Sequence, residues 1–446
     1  MKPMIPIILE TVIFIRNTLK DAIRIITFKE KMRLVWLTPF YQNTYYLMSG
    51  NIINSALGCI FWIIAAKLYA AEVVGLGSAI ISAFRLLALF AELGLGISLV
   101  RYLPAAGKNG NIMINTCFTL SGLISVIISL IFLCGLNLWS PALLPVRQDP
   151  LYFAAIIFFT FSIVLQPLAL TVLLAKLQTR IIFIINIIAG ILGIVLVGIF
   201  SIFTDEALGL VSAMGLAITF TLVLCVLWFL PRVQNGYHPI PSIKLEILKE
   251  MASYSAGNFV SKDLILMANF ILPLIVVNTL SSEMNAYFYI PWSVGIVLQF
   301  IPAAISNSLF AEASNEEITL HVNTQKSLKL LLLFILPMLL IIVAISSFLL
   351  LLFGQEYSEN GTLLLRVLAF SIIPWGINYI YIGIARVKKN IKGLILIPAV
   401  ASSLSLGLSY ILMVQIGLVG IGLGYLAGQS AVAIPVLLNL CRSRNS

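Results

Sequence analysis

Long apolar tracts separated by short polar or Pro- and Gly-containing breaks recur along the chain. A helix needs about twenty mostly apolar residues to cross the hydrocarbon core of a bilayer. Backbone groups cannot stay unpaired in lipid, so helices are the expected form of such tracts. Twelve spans are predicted, at residues 46–68, 74–99, 112–137, 151–175, 181–203, 207–230, 253–279, 285–309, 328–353, 361–384, 392–414 and 417–440.

The segment before the first span has a different pattern. Between Ile5 and Arg33, polar residues recur every three to four positions with Ile, Leu, Val and Phe between them. This spacing predicts an amphipathic helix that lies in the headgroup layer. Residues 1–41 are therefore predicted as an N-terminal arm, either a docking site for a partner enzyme or an anchor that fixes orientation. No cleavage site of small residues follows the first apolar run, so we expect no removable signal peptide.

The basic residues are distributed unevenly between alternate connections. Of the 27 Lys and Arg residues, 22 lie in the N-terminal arm, the even-numbered connections and the C-terminal end. Basic residues are retained on the cytoplasmic side, so both termini are predicted to be cytoplasmic, in a cell membrane crossed many times. The net charge of +10 is spread along the headgroup plane rather than collected on one soluble face. We therefore expect no nucleic-acid partner.

Composition agrees with a membrane solvent. The 446 residues are 61% hydrophobic and 10% charged, whereas soluble domains are about 25% charged. The five cysteines are widely spaced and mostly within apolar tracts, which is typical neither of a disulfide framework nor of a metal site. We expect no cofactor and no bound metal.

Two short matches in the same order indicate an internal repeat. Residues 49–51 (Ser-Gly-Asn) resemble residues 256–258 (Ala-Gly-Asn), and residues 161–164 resemble residues 370–373. The separations also agree, since Gly50 precedes Phe161 by 111 residues and Gly257 precedes Phe370 by 113. The sequence thus predicts two pseudo-symmetric six-helix bundles, at 42–230 and 251–446, joined by a cytoplasmic linker at 231–250. Six helices in each half keep both halves in the same orientation.

Two stretches carry a family resemblance: AAKLYAAEVVGLGSAIISAFRLLALFAELGLGISLVRYLPAAG (Ala65–Gly107) and LLLRVLAFSIIPWGINYIYIGIARVKKN (Leu363–Asn390). Together with the 6+6 layout, they resemble polysaccharide and O-antigen flippases, whose superfamily also holds multidrug and toxin extrusion transporters and lipid II flippases. The resemblance covers about residues 42–440. It implies an all-α polytopic protein of two bundles that meet in a V, with alternating access to a central cavity.

The resemblance also implies a function and partners. The expected substrate is an oligosaccharide on undecaprenyl or a similar polyprenyl pyrophosphate, moved across the cytoplasmic membrane for cell-surface polysaccharide biosynthesis, including lipopolysaccharide. Membrane lipids and a glycan polymerase or glycosyltransferase are the expected partners.

Ionisable side chains inside spans are the first functional candidates, because each costs about 2.5–3.5 kcal/mol to insert. Five qualify: Arg85, Glu92, Lys262, Asp263 and Arg366. Arg85 and Glu92 are seven residues apart, so they share one helix face at a separation of about 10 Å. Lys262 and Asp263 are adjacent and lie about 100° apart on a helix. Arg366 lies near the end of its span and can extend to the headgroups.

Roles follow from the chemistry of these groups. Arg85 and Lys262 are candidate cationic partners of a pyrophosphate, and Glu92 and Asp263 are candidate ion-coupling carboxylates. Asn51, Asn258 and Gln299 could hydrogen-bond sugars in the same cavity. Two alternatives stay open, namely a structural salt bridge between Arg85 and Asp263, and interhelical hydrogen bonds of the amides, worth about 0.6 kcal/mol each on average.

Two other functions compete with a flippase. A membrane-embedded polymerase or glycosyltransferase needs large extramembrane loops, whereas the connections here do not exceed about twenty residues. The chain contains no P-loop, HExxH or GxSxG motif, so no enzyme is expected. A cation-coupled multidrug exporter has the same fold, but its cationic substrates favour an anionic cavity, whereas Arg85 and Lys262 favour an anionic substrate.

Overall fold

The computed structural model describes residues 39–313, 320–388 and 390–442. Within these ranges, the description excludes the side chains at 39–40, 108, 253–254, 256–265, 311, 391 and 441–442. Residues 1–38 of the predicted N-terminal arm lie outside the described residues. Residues 39–41, which were predicted to complete that arm, are the start of the first helix.

The described residues form helices and connections, without a strand. We number the twelve long helices of this part of the chain as follows: α1 Pro39–Leu68, α2 Ala71–Glu92 (continued by Leu95–Tyr102), α3 Gly110–Cys134, α4 Pro150–Ala175, α5 Thr179–Phe203, α6 Ala207–Leu224 (continued to Val233), α7 Leu245–Thr279, α8 Ser282–Leu298 (continued by Phe300–Ala313), α9 Leu320–Leu351, α10 Gln355–Val387, α11 Ile391–Ile416 and α12 Leu418–Arg442.

Each predicted span falls on one of these helices. Within the described ranges, eleven helices are long and apolar enough to cross a membrane. The remaining one, α7, is a continuous helix of 35 residues, and its apolar part with described side chains is Leu266–Thr279. The predicted fold class, an all-α polytopic membrane protein, is confirmed.

Polar residues define several helix starts. The Asp149 carboxylate accepts a hydrogen bond from the Leu151 amide at 2.7 Å, directly before Pro150 at the first position of α4. The Ser281 hydroxyl accepts from the Met284 amide at 3.0 Å and caps α8. Such caps satisfy amides that have no partner within the helix.

The second helix of each predicted half is interrupted at a corresponding position. The predicted span 74–99 is broken because Leu93 and Gly94 adopt left-handed φ values of 52° and 68°. The missing side chain makes this conformation inexpensive at Gly94, but not at Leu93. In α8 the helix is interrupted at Gln299. Residues 93 and 299 are 206 positions apart, and Gly50 and Gly257 are 207 apart. The two breaks therefore follow the register of the sequence repeat.

Helices α1–α6 pack on one another, and helices α7–α12 form a second packed group. In the first group α5 runs along α1, with Gly190 against the Leu57 side chain. In the second group α12 packs on α11 and α10. The two groups meet mainly where α2 packs on α7 and α8. The pseudo-symmetric relation of the two groups, and the domain boundaries at 42–230 and 251–446, stay predictions.

The helix ends define two sides of the molecule. We call the side that holds connections 103–109, 176–178 and 234–244 the basic side, after its predicted Lys and Arg excess. The acidic side holds connections 69–70, 135–149, 204–206, 280–281 and 352–354.

The connection between the two groups, residues 234–244, is bound along α3. Asn111 donates to the Gly236 carbonyl at 2.8 Å, and Asn115 donates to the His238 carbonyl at 2.8 Å. Thr119 accepts from the Ser242 amide at 3.1 Å. These side chains recur at i, i+4 and i+8, so they share one face of α3. The linker is thus fixed to the first group of helices over most of its length.

Close contact between α11 and α12 depends on glycines. Gly420, Gly424 and Gly428 recur every four residues, and a Cβ added at any of them would overlap backbone atoms of α11. Small residues at a contact let helix backbones approach closely in lipid, where van der Waals packing drives association. The Ser409 hydroxyl uses this approach to donate to the Ile421 carbonyl at 2.9 Å.

Replacing Gly424 by alanine is predicted to destabilise the second group of helices. The added methyl group would force α11 and α12 apart, at a cost of about 1–3 kcal/mol. Gly407→Ala on α11 is the matched control, because a Cβ there meets open space and alanine favours a helix by about 0.5–1 kcal/mol over glycine. Thermal unfolding of the purified proteins in detergent measures both. Equal melting temperatures of the two variants would contradict the proposed role of the contact.

Candidate functional site

Arg85 and Glu92 lie two turns apart on one face of α2, with Leu89 between them. All three residues are partly exposed. Within the described ranges, neither Arg85 nor Glu92 forms an ion pair. Their separation of about 10 Å along the helix keeps them from compensating each other. The helix therefore presents one cation and one carboxylate separately on the same exposed face.

Arg85 lies where the two groups of helices meet. The guanidinium carbon is 6.0 Å from the centre of the Phe270 ring in α7, at the outer limit of a cation–π contact. Tyr289 of α8 lies within electrostatic reach of the same guanidinium. Two aromatic side chains of the second group thus lie near a cation of the first.

The acidic side of Arg85 is closed by tight contacts between α2 and α8. The fully buried Asn285 amide donates to the Gly75 carbonyl at 2.7 Å and to the Ser78 hydroxyl at 3.1 Å. A Cβ at Gly75 would overlap the backbone of Ser282. Trp62 of α1 contacts Tyr289, with ring centres 4.8 Å apart. These contacts join the two groups of helices between Arg85 and the acidic side.

Asn51 lies on the basic side of this closure. Asn51, Ser55, Gly58 and Trp62 follow the spacing i, i+4, i+7 and i+11, so they share one face of α1. Asn51 is exposed, and a Cβ at Gly58 would meet open space. Because Trp62 on the same face reaches Tyr289, this face of α1 points toward the junction that holds Arg85. That Arg85, Glu92 and Asn51 border one cavity, open toward the basic side, stays a prediction.

The seventh predicted span holds three further candidate residues, whose side-chain positions relative to Arg85 are not described. The backbone of α7 at Asn258, Lys262 and Asp263 is helical, but their side chains lie outside the described residues. Lys262 and Asp263 precede Phe270 by about two turns, so their backbone lies nearer the basic side than the Arg85 contact. Their roles stay predictions.

The Glu92 carboxylate folds over the break in α2. Because Gly96 has no side chain, a Glu92 carboxylate oxygen occupies the space where a Cβ of residue 96 would lie, next to the Thr171 hydroxyl of α4. The helical segment Leu95–Tyr102 begins there, and the free amides at a helix start favour a negative charge. This environment lowers the free-energy cost of a carboxylate within the span.

Gln299 lies inside the second group of helices. Its amide nitrogen is 3.4 Å from the Tyr425 hydroxyl, and it lines a small space with Trp292, Trp375 and Tyr425. Gln299 is thus not brought together with Arg85, although its residue number corresponds to Glu92 in the repeat.

A polar cluster beside Gln299 was not anticipated from the sequence. The buried Asn378 donates to the Gln429 side chain at 3.0 Å, and Gln429 donates to the Ser405 hydroxyl at 3.2 Å. The Asn378 carbonyl oxygen has no hydrogen-bond partner among the described residues. A space of about 20 Å³ adjoins this cluster, enough for a water molecule. The sequence offered one signal for this cluster, namely Asn and Gln residues within apolar helices. This signal is weak, because such residues also form ordinary interhelical hydrogen bonds.

Arg366 has a local partner. Its Nε donates to the Ser346 hydroxyl of α9 at 2.9 Å. Arg366 lies about three turns from the acidic end of α10, which begins at Gln355. No group of three potential metal-ligating side chains comes together within the described ranges. Arg85 is therefore the cation of the described spans that lies between the two groups of helices. Chemically, it can bind an anionic group that enters the cavity.

A sequence model of the family described as "polysaccharide biosynthesis protein" matches residues 64–362, about two thirds of the chain. A comparison with curated proteins finds no sequence match.

Solved structures show the same fold. A multidrug resistance MATE family transporter of the MOP superfamily, in an inward-facing conformation, has 17% identity and a TM-score of 0.68 over 88% of this chain and 94% of that chain. The lipid II flippase MurJ, in an inward closed conformation, has 13% identity and a TM-score of 0.68 over 89% of this chain and 87% of that chain. A MOP superfamily transporter from Pyrococcus furiosus has 15% identity and a TM-score of 0.57 over 93% and 98% of the two chains.

Wedging the α2–α8 contact is predicted to open the cavity on the acidic side. In a cysteine-free background, Leu89→Cys reports access to the face that carries Arg85 and Glu92. Adding Gly75→Ala should raise its reaction with a membrane-impermeant thiol reagent applied from the acidic side, because the methyl group displaces Ser282 of α8. Gly77→Ala is the matched control, since Gly77 faces Leu210 within the first group of helices. Equal reactivity in both variants would contradict a closure at Gly75.

Proposed function

The chain belongs to the polysaccharide biosynthesis protein family, and we propose that it is a flippase that moves a polyprenyl-pyrophosphate-linked oligosaccharide across the cytoplasmic membrane. The family match supports a role in polysaccharide biosynthesis. Transporters and a lipid II flippase share the fold. The substrate itself is assigned from the chemistry of the cavity.

The observation that carries this proposal is the position of Arg85. A guanidinium at mid-depth in a membrane is costly unless water, a carboxylate or a ligand compensates it. Within the described ranges no carboxylate does so, and the side chain lies where the two groups of helices meet. A pyrophosphate matches the planar fork of arginine through paired, charge-assisted hydrogen bonds.

The remaining candidates complete the proposed site. Asn51 is proposed to border the same cavity and to offer hydrogen bonds to sugar hydroxyls, and Asn258 and Lys262 are proposed to face it from α7. Glu92, two turns from Arg85, is proposed to carry a coupling proton or ion. Asp263 is the alternative carrier, or the salt-bridge partner of Arg85.

Alternating access is the proposed mechanism. The α2–α8 contact at Asn285 closes the acidic side, and its buried hydrogen bonds must break when the cavity opens there. The linker moves with the first group of helices because α3 holds it, so the relative movement is proposed to take place beyond Lys244. Both termini are proposed to be cytoplasmic. The N-terminal arm is proposed to be an anchor that fixes orientation, and a docking site for a glycan polymerase or glycosyltransferase is the alternative.

One observation favours a second candidate function. Glu92 presents a partly exposed carboxylate on the same face as Arg85, and a carboxylate in the cavity suits the cationic substrate of a cation-coupled multidrug exporter. Uptake of a fluorescent cationic dye into inverted vesicles distinguishes the two candidates, because a pyrophosphate flippase leaves the dye outside.

Arg85→Ala is predicted to abolish flipping while the protein still accumulates in the membrane. A hydrogen bond to a charged group contributes about 1.5–3 kcal/mol, so the rate should fall by at least about tenfold. Arg85→Lys should restore part of it, because lysine keeps the charge but loses the planar fork. Flipping of a fluorescent lipid-linked oligosaccharide in proteoliposomes is the measurement. Arg366→Ala is the matched control, since Arg366 bonds to Ser346 in the second group of helices.

The Arg85→Ala variant also distinguishes a role of Arg85 in substrate binding from a structural salt bridge with Asp263. If Arg85→Ala fails to accumulate, and adding Asp263→Asn restores the protein level, the arginine serves as a structural partner of Asp263. Normal flipping by Arg85→Ala would remove both interpretations.

The orientation is tested with single cysteines in a cysteine-free background. Asp205→Cys should react with a membrane-impermeant thiol reagent outside intact cells, and Lys244→Cys should not, because basic residues are retained in the cytoplasm. Both positions are exposed, so burial does not limit their labelling. Reaction at position 244 without reaction at position 205 would reverse the proposed orientation.

A further inference from the structure

An apolar groove runs along the outside of the junction between the two groups of helices. We call it the seam groove and define it by Leu86, Phe90, Ile131, Trp139, Ile275 and Tyr410. Its volume is about 650 Å³, within the range of small-molecule sites of about 300–1,000 Å³. Helices α2 and α3 form one wall, and α7 and α11 form the other. The groove extends from mid-depth toward the acidic side, where Trp139 lies in the connection after α3.

The seam groove faces the lipid. Ile131, Trp139 and Tyr410 are each about half exposed, with fractions of 55%, 50% and 49%, although they lie on or next to helices that cross the membrane. The polar atoms at its acidic end are already bonded, since Asn278 donates to the Ser140 hydroxyl at 2.8 Å and accepts from the Ala142 amide at 2.9 Å. The groove therefore offers apolar surface to a chain that is itself in the bilayer.

One helix contact separates the seam groove from the Arg85 cavity. Arg85 and Phe270 meet between α2 and α7, and the next residue of each helix, Leu86 and Ile271, lines the groove. The cation and the groove thus lie at the same depth on neighbouring faces of α2. Helices α2 and α7 pack on each other at this contact. It carries no described ion pair, so the helices can part without breaking one.

We propose that the seam groove binds the polyprenyl tail of the substrate while its pyrophosphate is at Arg85. This inference rests on the proposed function and adds the site of the tail. A long hydrocarbon chain is excluded from a cavity that holds Arg85 and Glu92, because water and charge there oppose apolar surface. The tail stays in the lipid, and the groove holds it within one helix width of the cation. Both groups of helices line the groove, so its shape changes as they move, which links the position of the tail to alternating access.

The test is photo-cross-linking with the full chain in proteoliposomes. The probe is a polyprenyl pyrophosphate that carries a photoactivatable group on its tail, and the labelled peptides are located by mass spectrometry. We expect labelling at Ile131 and Ile275, reduced by excess unlabelled polyprenyl phosphate and not by phosphatidylglycerol. Labelling that phosphatidylglycerol reduces equally would mean that the groove holds bulk lipid, and would overturn the inference.

Ile131→Trp fills the seam groove and is expected to lower both labelling and flipping by about tenfold, the order of effect seen when an apolar pocket no longer fits its ligand. Ile127→Trp is the matched control. Ile127 lies one turn earlier on α3, is 54% exposed and does not line the groove, so flipping should be unchanged. Equal accumulation and elution of the two variants establishes that both are folded.

Experiments in the same proteoliposomes distinguish an incorrect tail site from an incorrect proposed function. If the native protein flips the lipid-linked oligosaccharide and Ile131→Trp flips it at the native rate, the proposed tail site is wrong, but the proposed flippase function is retained. If the native protein neither flips nor cross-links any polyprenyl probe, the proposed function itself fails.

Discussion

A guanidinium placed at mid-depth between two groups of membrane helices is the interaction on which the rest of this structure depends. Lipid cannot solvate the charge, and every backbone group around it must already be paired within a helix. Arg85 lies at the junction of α2, α7 and α8, near Phe270 and Tyr289. In the proposed site, a cavity between the helices supplies the water or the anionic ligand that the charge needs on its free side.

The glycines determine where that cavity can open. Gly75 lets α2 approach α8 so closely that Asn285 reaches the Gly75 carbonyl, and this buried pair closes the acidic side. Gly420, Gly424 and Gly428 hold α12 on α11 in the same way. In the proposed mechanism the first contact, which joins the two groups of helices, opens, whereas the second lies within one group and stays closed. Close packing at glycines thus forms a contact that opens in the proposed mechanism in one place, and a contact that stays closed in another.

Helix α2 lies between two environments that the proposed substrate needs at the same time. One face carries Arg85 and Glu92 toward the proposed cavity, and another carries Leu86 and Phe90 toward the apolar groove. Because successive residues on a helix lie about 100° apart, adjacent positions can face different environments. In the proposed mechanism, the head and the tail of the substrate then remain within one helix width of each other.

The sequence by itself determined the helices, because the length of an apolar tract in lipid leaves the backbone one way to pair its hydrogen bonds. It also indicated the repeat, whose register the breaks at Leu93 and Gln299 follow, and it singled out Arg85 and Glu92 by the cost of charge in a span. Only the tertiary structure decided which faces meet. It placed Gln299 beside Tyr425 instead of Arg85, joined Asn378 to Gln429, and formed the seam groove from helices of both halves of the chain. Apolar residues that face lipid, a groove or a neighbouring helix look alike in a sequence, since the bilayer is as apolar as the protein interior, and only packing tells them apart.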